Sequence, residues 1–147
     1  MTTLSAPTPT APATSARRVP RRTVVASLWL FVLLCYLYCD VLGLFRTEDL
    51  RAILDGRIGG ITITDSFLLA ASVLMTIPIG MVLVSRVAPH RVARWATVVA
   101  AAVMTAVQVG SLFVGTVAPH YAYFSVIEIT TTAFLVWYAA ARWRADD

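Results

Sequence analysis

Residues 121–140, YAYFSVIEITTTAFLVWYAA, decide the fold. The run carries a single charged side chain, Glu128, and is otherwise what a lipid interior accepts. At 1.5 Å per residue a helix of about 20 residues crosses a hydrocarbon core of about 30 Å. Three further apolar runs precede it, at roughly 24–45, 66–85 and 93–117, and the last is best drawn as 121–141. None alternates apolar with polar residues, so each reads as a helix whose backbone bonds are satisfied within the segment. The expected fold is all-α, a four-helix transmembrane bundle.

Composition agrees with this reading. Of 147 residues, 59% are hydrophobic and 14% charged, where a soluble domain carries about 25% charged residues. The net charge of +4 would suit nucleic acid if the basic residues formed a patch. All are arginines placed in the segments flanking the apolar runs, so topology explains them and no nucleic-acid partner is expected. Residues 1–22, MTTLSAPTPTAPATSARRVPRR, form a Thr/Ala/Pro-rich tail expected to be disordered, followed by a membrane domain over 23–145. The first apolar run is too long for a cleaved signal peptide and has no small-residue cleavage site after it.

Arginine placement sets the orientation. Arg17, Arg18, Arg21, Arg22, Arg86, Arg91, Arg94, Arg142 and Arg144 fall on one side. On the other, Arg46, Arg51 and Arg57 are offset by Glu48, Asp49 and Asp55. Both termini are therefore expected in the cytoplasm of a bacterial plasma membrane, with Trp29, Trp95, Tyr121, Tyr123, Trp137 and Trp143 as interfacial aromatics. In the first loop, Thr47 is expected to cap a short helix over Glu48–Asp55 whose Leu50, Ile53 and Leu54 form one apolar face. This helix is expected to lie at the outer interface between helices one and two. Asp65 is expected to cap the second span, and Pro78 to kink it.

The candidate site is an intramembrane polar group of Glu128, Gln108, Asp40 and Tyr36, all in the outer half of the bundle. Glu128 lies about 12 Å from the outer end of its helix, with Gln108 expected at nearly the same level and donating to it. Tyr36 and Asp40 lie one turn apart on the first span. On the fourth span Tyr121, Ser125, Glu128, Thr132 and Leu135 form one stripe; on the third, Thr97, Ala101, Thr105, Gln108 and Ser111 share a side. Ala102, Ala106 and Gly110 form a small-residue row opposite. Two readings of Glu128 stand side by side. It is an interhelical hydrogen bond, worth about 0.6–2 kcal/mol, or a proton-linked or ligand-binding acid of the kind that repays the cost of placing a carboxyl in a membrane.

Cys35 and Cys39 are spaced for packing within one helix face, and nothing nearby favours a thiolate. His90 and His120 are expected on opposite sides of the membrane, so no metal or haem ligand set forms and no cofactor is expected. Hydrolase, kinase and P-loop motifs are absent, and the chain does not read as an enzyme.

The strings LWLFVLLCYLYCDVLGLF (28–45), MTIPIGMVLVSRV (75–87), HRVARW (90–95) and EITTTAFLVWYAA (128–140) resemble a family of small bacterial four-helix integral membrane proteins that carries only a domain of unknown function. The resemblance implies four spans and assigns no activity. The sequence reading places first a non-catalytic interaction or accessory protein, homo-oligomeric or bound to a partner membrane protein. A small proton- or solute-coupled carrier using Glu128 comes second, and a membrane oxidoreductase last.

Overall fold

The computed structural model describes residues 19–115 and 117–143. The tail expected to be disordered lies, through residue 18, outside the described residues, as do the last four positions. Five α-helices follow in order: α1 (Arg21–Leu44), α2 (Thr47–Leu54), α3 (Asp65–Val87), α4 (His90–Ser111) and α5 (Pro119–Trp137). A π-helical turn, Tyr138–Arg142, extends α5, and a two-stranded hairpin, β1 (Arg57–Ile58) with β2 (Ile61–Thr62), joins α2 to α3.

Four of these helices, α1, α3, α4 and α5 with its π turn, are long and apolar enough to cross a membrane. They form a ring in which α1 packs on α3 and α5, and α4 on α3 and α5. Every packed pair is antiparallel, so the bundle runs up-down-up-down. One end holds the start of α1 and the end of α5 (the tail end); the other holds α2 and the hairpin (the hairpin end). Apolar positions three and four apart on α1, namely Val25, Trp29, Val32, Tyr36 and Cys39, turn into the centre of the ring. Met81, Ala101, Met104, Leu135 and Trp143 meet them there. The small side chains Ala93, Ala96, Ala100 and Ala101 let α4 approach its neighbours closely.

Two of the aromatics expected at the interfaces are instead core residues. Trp29 and Trp143 are fully buried, because Trp29 belongs to the inward stripe of α1 and the π turn rotates Trp143 against His90, with ring centroids 5.5 Å apart. The cap of α3 also moves by one residue: Thr64 accepts from the Phe67 N–H at 3.1 Å, and Asp65 is the first helical residue. Thr47 likewise opens α2 without capping it, and Arg46 pairs there with Asp49 at 3.1 Å. Helix α3 is continuous through Pro78, which is buried.

At the tail end, two arginines hold helix termini. Arg22 donates to the Ala88 carbonyl at 2.6 Å. Arg94 donates to the Ala139 and Ala140 carbonyls at 2.8 and 2.6 Å. Each satisfies carbonyls that a helix end leaves open and favours the negative end of the dipole.

At the hairpin end, α4 stops at Ser111 rather than near residue 117. Its last turn tightens into three-residue bonds, Phe113 N–H to Gly110 at 3.1 Å and Val114 N–H to Ser111 at 3.1 Å. Gly115 then turns the chain with φ +67°, and a Cβ there would sit 3.1 Å from the Gly59 carbonyl oxygen. Gly59 and Gly60, at φ +55° and +86°, form the two-residue turn of the hairpin. The loop after α4 therefore meets the hairpin turn glycine to glycine. Gly115→Ala is expected to lower stability by about 1–2 kcal/mol, the left-handed penalty for an L side chain, read as the thermal midpoint in detergent. An unchanged midpoint would remove the hairpin contact from the account.

Candidate functional site

The stripe on α5 faces inward as its spacing requires: Ser125, Glu128, Thr132 and Leu135 are all buried. The facing stripe of α4 buries Thr97, Ala101 and Gln108. Between them the polar side chains pair in a seam. Starting at the hairpin end, the Tyr121 hydroxyl donates to Ser111 Oγ at 2.5 Å, and Ser111 donates to the Gln108 carbonyl at 2.7 Å. The Gln108 amide Nε2 donates to Ser125 Oγ at 2.8 Å. Deeper in the bundle, Thr105 Oγ1 contacts Thr132 Oγ1 at 2.7 Å, and Thr132 donates back to the Glu128 carbonyl at 2.8 Å.

Gln108 thus does not serve Glu128, contrary to the sequence expectation. Helix α4 stops at Ser111, three residues past Gln108, and the Gln108 amide meets Ser125, about one turn before Glu128 on α5. Glu128 falls between the Gln108–Ser125 and Thr105–Thr132 rungs, and its carboxyl shares neither. Its side chain is fully buried, and neither Oε1 nor Oε2 has a hydrogen-bond partner among the described residues.

Helix α5 packs on α1, whose buried stripe carries Cys35, Tyr36 and Cys39. The Tyr36 hydroxyl is itself buried without a partner among the described residues, as are Trp29 Nε1 and Thr97 Oγ1. Glu128 and Tyr36 thus lie buried on two helices that pack on each other, each with oxygens that lack a partner among the described residues, while Gln108 belongs to the seam. Asp40 stands apart. One residue past Cys39, it is turned by about 100° from the buried stripe and lies on the exposed side of α1.

Sequence reasoning named the seam residues but missed their pairing, since helix register depends on where α4 ends. It also set Trp29 at the interface, although its spacing of seven from Tyr36 already placed both on one face. Both cysteines are buried free thiols, and among the described residues no three His, Cys, Asp or Glu side chains cluster as a metal site would need. His90 and His120 begin α4 and α5 at opposite ends of the bundle.

Buried polar groups without partners are rare, and each raises the question of a proton, water, ion or functional role. Removing such a group differs from removing a bonded one. Gln108→Leu should lower detergent-solution stability by about 0.6–2 kcal/mol, the range for an interhelical hydrogen bond. Glu128→Leu, by contrast, should leave the thermal midpoint unchanged or raise it. An equal loss in both variants would mean that Glu128 is bonded across the bundle.

The chain belongs to DUF6326, a family of unknown function whose model matches residues 17–147. No curated protein and no solved structure matches it.

Proposed function

We propose that this multi-pass membrane protein is a small proton-coupled carrier in which Glu128 is the protonation site. One observation carries the reading: a carboxyl lies wholly buried in a membrane span with neither oxygen bonded among the described residues. A charge in that setting is expensive, and intramembrane acids that persist despite it recur in proton relays and transport paths. The hydrogen-bond explanation, its main rival, loses its donor because Gln108 is committed to Ser125. The reading adds no enzyme chemistry and no cofactor. It places both termini in the cytoplasm, on the side rich in arginine, which puts Glu128 nearer the outer face.

A second reading, the non-catalytic accessory protein, has its own support. Ala102, Ala106 and Gly110 lie exposed on the outside of α4 and, with Ala133 and Val136 of α5, line an open apolar groove of about 620 Å³. Small residues of this kind let a second helix approach closely, and a partner membrane protein or a second copy would use them.

Liposomes loaded with a pH-sensitive dye, clamped at zero potential and stepped to acid outside, separate the two. The wild type should acidify the lumen faster than protein-free liposomes. Glu128→Gln should return to the protein-free rate while keeping its helical circular dichroism. Wild-type liposomes with no excess rate, or Glu128→Gln with an undiminished one, would contradict the carrier; the first result would favour the accessory reading.

A further inference from the structure

At the tail end of α5, away from Glu128, lies a groove of about 770 Å³ lined by Arg21, Phe134, Trp137, Tyr138, Ala141 and Arg142. We propose that it binds the phosphate headgroup of an anionic phospholipid, with the upper part of an acyl chain lying along its rings. The inference rests on the four spans crossing a bilayer and not on the carrier reading.

The order of chemistry along α5 is that of a lipid. Phe134 stands deepest, half-exposed, and stacks on Tyr138 with centroids 5.8 Å apart and an interplanar angle of 22°. Trp137, 50% exposed, meets Phe134 at 5.6 Å. Nearer the tail end the Arg142 guanidinium lies 5.7 Å from the Trp137 ring centroid, a cation–π contact that holds it over the groove. Arg21 enters from α1. Phe134 and Arg142 are eight residues apart, so rings give way to guanidinium over about 12 Å of helix.

Charge and shape both select the occupant. Two arginines and no acid line the groove among the described residues. A guanidinium matches phosphate oxygens in paired geometry, and basic pockets between spans take lipid headgroups. A free phosphate ion would use the arginines and leave the aromatic floor uncovered. Tyr and Trp at such a position occur where headgroups meet acyl chains. Arg22 and Arg94 of the same end bind helix carbonyls, and Arg142 lies over the Trp137 ring.

Native mass spectrometry from micelles holding equal phosphatidylglycerol and phosphatidylcholine tests the proposal on the full chain. The wild type should retain phosphatidylglycerol in preference. Arg142→Gln should reduce that retention about fivefold, the factor one basic residue near an anionic surface supplies. Trp137→Leu should also reduce it, whereas Arg91→Gln, an exposed arginine at the same end outside the groove, should keep wild-type retention. Added inorganic phosphate should not displace the lipid. Equal retention of the two lipids, wild-type retention by Arg142→Gln, an equal loss in Arg91→Gln, or displacement by phosphate would each overturn the proposal. Helical circular dichroism of each variant confirms that retention and not the fold is being read.

Discussion

Hydroxyls and an amide on two helices that meet in lipid draw their partners from each other, because hydrocarbon offers none. The Gln108–Ser125 hydrogen bond is such a pairing between α4 and α5, and the Thr105–Thr132 contact repeats it deeper in the bundle. These two rungs fix the register between the helices. That register leaves Glu128 between them, with neither oxygen bonded among the described residues. The unusual acid is thus a consequence of how its neighbours are satisfied.

Function and fold divide the bundle between its ends. At the hairpin end the loop after α4 meets the hairpin turn at Gly115 against Gly59. The tail end is held by Arg22 and Arg94 on helix carbonyls, and Arg142 stands over Trp137. Between them, α3 contributes little buried surface, only Pro78, Met81 and Ser85, and much of its side faces outward. Apart from Ser85, the buried polar side chains among the described residues belong to α1, α4 and α5.

The four spans were legible because length and apolarity decide them with no tertiary knowledge. The inward stripe of α5 was equally legible, since Ser125, Glu128, Thr132 and Leu135 recur at helical spacing. Three features were not. The end of α4 depends on a glycine loop packing against a hairpin distant in sequence, although Gly59–Gly60 is itself a hairpin signal that the residues offered. Asp40 shares a near-helical spacing with Tyr36, but the stripe of α1 drifts, and Cys39 rather than Asp40 carries it inward. Trp29 and Trp143 were read as belt residues from their type; burial against their neighbours overrides type. In each case the missing information was which helix lay opposite.

The central claim is that Gln108 is spent on Ser125 and not on Glu128, and paired double-mutant cycles in detergent micelles measure that directly. Stability of Gln108→Leu, Ser125→Ala and their combination gives one coupling energy; Gln108→Leu, Glu128→Leu and their combination gives the other. The account predicts a coupling of about 0.6 kcal/mol or more for Gln108 with Ser125, and none resolvable for Gln108 with Glu128. Coupling to Glu128 with none to Ser125 would contradict it.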